Sequence, residues 1–171
     1  MTSQTQPEFF NAYKALPAGY QAMSSLEAAV KNSPLDPTVF ELVKLRSSQI
    51  NGCAFCIDMH YKDLRAMGES EDRLYMLNAW RESALYSDAE RAALAFAEAV
   101  TLISEHHVPA EVEAAARAQF DDESYAALLF AIVAINAWNR LAITTHSPSG
   151  QYTSPIKPSE AESPKATADV G

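Results

Sequence analysis

Apolar residues return along this chain at the three- and four-residue spacing of helices, and almost nowhere do they alternate as in a strand. Two short amphipathic stretches, Glu8 to Leu16 and Gly19 to Lys31, are broken at Pro17. Asn32 to Pro37 reads as a turn, with Pro37 suited to the first position of the next helix. That helix, Pro37 to about Ile50, carries Val39, Phe40, Leu42, Val43, Leu45 and Ile50 on nearly every side, which predicts a buried helix. Asn51-Gly52 ends it, and a further helix runs from Cys53 to Met67 and stops at Gly68.

Glu71 to Ala79 continues the pattern. Ser87-Asp88-Ala89-Glu90 is a capping box that opens a helix to Ile103, with Ala89, Ala93, Phe96, Val100 and Ile103 as its core stripe. Pro109 to Phe120 and Asp122 to about Ala142 are the last two helices. The whole predicts an all-α fold, a single-domain helical bundle over residues 1–146. From Ser147 to Gly171 the composition changes to Pro, Ser, Thr and Lys with little to bury, so 147–171 is expected to be a disordered tail. Helices apolar on more than one face, Pro37 to Ile50 and Asp122 to Ala142, lead us to expect a homo-oligomer.

Composition narrows the function. A chain of 171 residues, 48% hydrophobic and 20% charged, is one ordinary globular domain. A net charge of −9 argues against nucleic-acid binding and against docking on anionic lipid. We expect no membrane span, since no run reads as long and apolar enough. The opening MTSQTQPEFF lacks the features of a signal peptide, so a cytoplasmic location is expected. Disulfides are seldom structural there, which draws attention to the chain's two cysteines.

Those cysteines lie in Gly52-Cys53-Ala54-Phe55-Cys56-Ile57-Asp58-Met59-His60. On a helix, at about 100° per residue, Cys53, Cys56 and His60 fall within an arc of roughly 60°. Ile57, Leu64 and Met67 share that face, so the thiols are expected to look inward. Two thiols at this spacing can close a disulfide, and a helix N-terminus favours the thiolate that attacks. His60, one turn after Cys56, is placed to accept its proton directly or through water.

Plainer readings stand beside this one. A buried cysteine is commonly a small hydrophobe, and a histidine on an apolar face is commonly a satisfied core residue. Cys53, Cys56, His60 and Glu41 could also be zinc ligands, although structural zinc sites generally draw a second ligand pair from a separate segment. Haem attachment needs histidine directly after the second cysteine, where Ile57 stands, and is excluded. Glu41 is an isolated carboxylate in the most apolar helix. Periodicity alone favours an exposed residue paired with Lys44; buried, it would have a raised pKa and could relay protons to a histidine. His106, His107 and His146 stand near helix ends and read as surface residues.

The run from Glu41 through Arg46, Gln49, Asn51, Gly52, Cys53 and Cys56 to His60 resembles the active-site signature of the alkylhydroperoxidase D-like family, part of the carboxymuconolactone decarboxylase-like superfamily. Leu77 to Arg81, Glu90 to Leu94 and Asn136 to Arg140 also resemble its recurring segments; Trp80-Arg81 and Asn136 to Arg140 are read as packing and subunit contacts rather than catalytic residues. The resemblance implies an all-α fold, trimers or hexamers, and hydroperoxide reduction without metal, flavin or haem. It also implies that Glu41 joins a proton relay with His60, that Cys56 attacks, and that Cys53 resolves the sulfenic acid to a disulfide. An external dithiol, lipoyl-type or thioredoxin-type, would then reduce the pair. The chain departs from the family's best-known peroxidases at Phe55, where they carry histidine. Two other functions fit the same residues: a lyase or hydrolase using His60 and Glu41 without the thiols, and a non-catalytic redox-sensing oligomer.

Overall fold

A computed structural model describes residues 8–156, which form eight α-helices and one short 3-10 turn, with no strand among them. The helices are α1 (Ala12–Ala15), α2 (Pro17–Lys31), α3 (Pro37–Asn51), α4 (Ala54–Ala66), α5 (Glu71–Met76), α6 (Asp88–Thr101), α7 (Ala110–Gln119) and α8 (Asp122–Thr144). The expected all-α architecture is what the chain adopts. The expected first helix shrinks to the single turn α1, because Pro17 opens α2 as its first residue instead of merely dividing two stretches.

Helix α3 is the hub, packed against α4, α6 and α8. Asp36 caps it by accepting from the amides of Thr38 (2.8 Å) and Val39 (3.0 Å). Nine of its residues are buried, Glu41, Lys44, Ser47 and Ser48 alongside the expected Val39, Phe40, Leu42, Val43 and Leu45, while Ile50 is only half-buried. One core, built from Val39, Val43, Phe96, Leu128 and Ile132, joins α3, α6 and α8; a second, around Leu42, Leu45, Leu64, Leu77 and Trp80, joins α3 and α4 to the 3-10 turn. The capping box of α6 is present, Ser87 and Glu90 each accepting the other's amide. Trp80 is buried, donating from Nε1 to Glu98 (2.9 Å), which also pairs with Arg46 and Arg81.

Two expectations change. Helix α8 is long and apolar enough to cross a membrane by length and composition, contrary to the sequence reading. In this fold it lies against α2, α3 and α6 and buries Leu128, Ile132, Ile135 and Asn139. The tail does not loosen at Ser147. His146 adopts a left-handed backbone (φ +56°) past the end of α8, the Ser147 amide donates to the Ala142 carbonyl (2.9 Å), and the chain turns back onto α4. The segment 147–156 is irregular but held by hydrogen bonds, because Tyr152 gives it something to anchor; residues 157–171 of the expected tail lie outside the described residues.

Candidate active site

Gly52 makes the site's first bend. It ends α3 in the left-handed region (φ +68°), a conformation that side-chain-bearing residues rarely adopt, and so delivers Cys53 to the N-cap of α4. Cys53 and Cys56 are free, each 1% exposed, with sulfurs 2.8 Å apart. Closing a disulfide from there needs little movement. The Cys56 amide donates to Cys53 Sγ (3.4 Å), as the N-cap position provides.

These neighbours divide the pair. Cys53 is lowered to about 7, chiefly by the hydrogen bond from the Cys56 thiol, against burial and with help from the Cys56 and Phe55 amides. Cys56 is raised by that same shared hydrogen bond, by burial and by repulsion from Cys53. The resting thiolate therefore belongs to Cys53, whereas the resemblance makes Cys56 the attacking sulfur. Only Cys56 of the two lines the large cavity beside the site, of about 940 Å³.

His60 and Glu41 meet, as the resemblance implied. His60 Nδ1 lies 2.6 Å from Glu41 Oε2, and both side chains are buried. Of the two earlier alternatives for Glu41 the exposed one fails; the buried one holds in its placement beside His60, but its pKa is not raised. Burial works against its charge, but the hydrogen bond and attraction of His60, with Lys44 and Lys31 nearby, outweigh that and hold the carboxyl below its ordinary value. An ionised carboxylate only accepts, so His60 Nδ1 must donate, and in the neutral imidazole Nε2 is then the acceptor. Nε2 is buried and has no hydrogen-bond partner, so His60 does not touch either thiol directly. Lys44 pairs with Glu27 instead of Glu41 and stands 4.5 Å from the Phe40 ring centroid.

Three contributors went unread in the sequence. Asn139, taken as a packing residue, is fully buried; it accepts from Asn51 (2.8 Å), donates to Ser48 (3.0 Å), and favours the thiolate form of both cysteines. The two amides, Asn136 and Asn139, inside the otherwise apolar run of α8 were the available signal. Asp63 is buried one turn after His60, and Tyr152 reaches it from the tail. The zinc set weighed from sequence is not gathered at one centre. Among the described residues the potential ligands that converge, within 4.8 Å of one another, are Glu41, His60 and Asp63, without either thiol. Phe55 lines the cavity with Trp138 and Tyr20, whose rings meet edge-on at 5.2 Å. His106, His107 and His146 are exposed.

A helical bundle that buries a Cys-x-x-Cys pair beside a carboxylate-held histidine defines a class of thiol-bearing proteins, and comparison with known proteins gives it a family. Residues 17–99 match the model of the carboxymuconolactone decarboxylase family. YdfG, an uncharacterized protein of Bacillus subtilis, is 47% identical over 131 residues, 77% of this chain and 89% of YdfG. The crystal structure of an Agrobacterium tumefaciens protein of unknown function, provisionally named an antioxidant defence protein AhpD, is 42% identical with a TM-score of 0.81, covering 84% of this chain and 99% of that one. An alkylhydroperoxidase AhpD core from Ralstonia eutropha, itself an uncharacterized peroxidase-related protein, shares the fold at 21% identity and a TM-score of 0.70, over 81% of this chain and 74% of its own. The chain belongs to the carboxymuconolactone decarboxylase family of enzymes, in its alkylhydroperoxidase D-like branch.

The electrostatics of the pair make a direct prediction. Thiolate absorbance near 240 nm should rise with a midpoint near 7 and account for one thiolate per chain. Cys53→Ser should remove that step. A single midpoint at the ordinary thiol value in the wild type would contradict the arrangement.

Proposed function

We propose that the protein is a thiol peroxidase that reduces organic hydroperoxides through Cys53 and Cys56 and is recycled by an external dithiol. The observation that carries this reading is the close thiol pair: two buried free thiols 2.8 Å apart at a helix N-terminus, one of them lining a cavity that His60 and Glu41 also line. The names of the Agrobacterium and Ralstonia proteins point the same way. The aromatic wall of Phe55, Tyr20 and Trp138 suits an apolar organic group on the peroxide.

In this mechanism the Cys56 proton crosses to the Cys53 thiolate, and the Cys56 sulfur attacks the terminal peroxide oxygen. The O–O bond breaks, an S–O bond forms, and the alkoxide takes a proton from solvent in the cavity and leaves as the alcohol, while Cys53 gives up the proton it had received and is again the thiolate. His60 Nε2 accepts a hydrogen bond from the peroxide hydroxyl and so aims that oxygen at the sulfur. Glu41 acts through His60, fixing its tautomer and ring. The Cys53 thiolate then attacks the sulfur of the Cys56 sulfenic acid; the S–O bond breaks, the S–S bond forms, and hydroxide leaves with a proton supplied from solvent by way of His60. A dithiol of lipoyl or thioredoxin type reduces the disulfide by exchange, returning one thiol and one thiolate and releasing a proton. A second reading, with Cys53 as the attacking sulfur, is favoured by its lower pKa.

Labelling separates the two. In Cys53→Ser, peroxide with a sulfenic-acid probe should label Cys56, read by mass spectrometry, while Cys56→Ser should label poorly because Cys53 does not face the cavity. Label confined to Cys53 in the Cys56→Ser variant would reverse the roles. Glu41→Gln keeps the shape but removes the charge that holds His60. Stopped-flow disulfide formation should slow by roughly 10²-fold, the scale of lost acid–base assistance. A Glu41→Gln variant that matches wild type at every pH would remove Glu41 from the mechanism.

A further inference from the structure

One imidazole stands among two buried carboxylates. Glu41 accepts from His60 Nδ1, and Asp63, on the next turn of α4, has a carboxyl oxygen within 4.8 Å of the same two groups. A neutral imidazole has a single N–H to give. Asp63 is only 6% exposed, so it too needs a donor, and a ring nitrogen of His60 stands within 4.8 Å of it.

The donor it has comes from the tail. The Tyr152 hydroxyl straddles both Asp63 oxygens, at 2.9 and 3.1 Å, and Tyr152 lines the cavity with His60 and Glu41. The segment is pinned so that this contact is made: the Gly150 amide donates to Asp58 (3.0 Å), and Lys62 Nζ donates to the Tyr152 carbonyl (2.8 Å). Burial, then the hydrogen bond and charge of Asp63, push the phenol's pKa up, so it remains a donor.

We propose that Tyr152 is a positioning residue of the site, occupying the Asp63 carboxylate so that His60 stays committed to Glu41 and Nε2 is kept as the acceptor nitrogen. The catalytic part of this statement rests on the peroxidase reading; the commitment of the imidazole does not. Tyr152→Phe removes one oxygen and leaves the ring in the wall. Asp63 would then draw the His60 N–H away from Glu41, and Asp63→Asn in the same chain, having no charge, would let it return.

The experiment is ¹⁵N NMR of the full-length protein with labelled histidine, the His60 signals being assigned from their loss in His60→Gln. Wild type should show a protonated Nδ1 and an unprotonated Nε2. In Tyr152→Phe the His60 signals should move, and peroxide-driven disulfide formation should slow roughly 10- to 100-fold, the scale of a misplaced catalytic group. Adding Asp63→Asn to Tyr152→Phe should restore the signals and recover rate. His60 signals unchanged in Tyr152→Phe would overturn the proposal. So would signals that move but are not restored in the double variant, since that would make Tyr152 merely structural. Should wild type fail to consume peroxide, the imidazole signals still decide the proposal, and the failure falls on the peroxidase reading alone.

Discussion

A carboxylate taken out of water must be met by donors and positive charge, or it will not remain a carboxylate. Glu41 is 4% exposed at the centre of α3, and the site is organised around meeting that demand. His60 supplies the donor from α4, Lys44 and Lys31 supply charge, and Lys44 is in turn held by Glu27. These contacts tie two helices to α3, α4 through His60 and α2 through Lys31 and Glu27. The packing that makes α3 the hub of the bundle is therefore also what sets His60 in one orientation, with its second nitrogen left unpaired.

The thiols answer a different constraint. Their proton is governed by the helix N-terminus and by each other more than by the histidine. Gly52 turns the chain so that Cys53 takes the N-cap, and the amides that find no partner inside the helix favour its anion. Cys56 then holds the proton and faces the cavity. This division of labour gives the peroxidase reading a sulfur at the substrate and a base beside it. It also moves His60 from the role of first proton acceptor to that of orienting the peroxide.

Much of this was legible in the sequence because the periodic signals were strong. The helices from Pro37 onward, the capping box at Ser87, the turn at Gly52 and the grouping of Cys53, Cys56 and His60 on one face all rest on local rules. What escaped depends on contacts between distant residues. Periodicity favoured an exposed Glu41 paired with Lys44, because nothing local shows that a polar residue in an apolar helix has partners waiting on α2 and α4. Asn139 read as a packing residue, and Asp63 was not singled out, for the same reason. Tyr152 lay in a stretch whose composition suggested disorder, and its reach to Asp63, 89 residues away in sequence, is a contact that composition does not show. The separation of Cys53 from Cys56 by pKa likewise needs the sulfur–sulfur distance, which the spacing alone does not supply.

The central claim is that Cys53 and Cys56 act together as one two-electron centre open to a peroxide. Titrating accessible thiols in the unfolded protein, before and after one equivalent of an organic hydroperoxide per chain, tests it most directly. The account predicts two thiols before and none after, with mass spectrometry locating an internal disulfide between Cys53 and Cys56. Two thiols still titrating after prompt exposure to peroxide would contradict it.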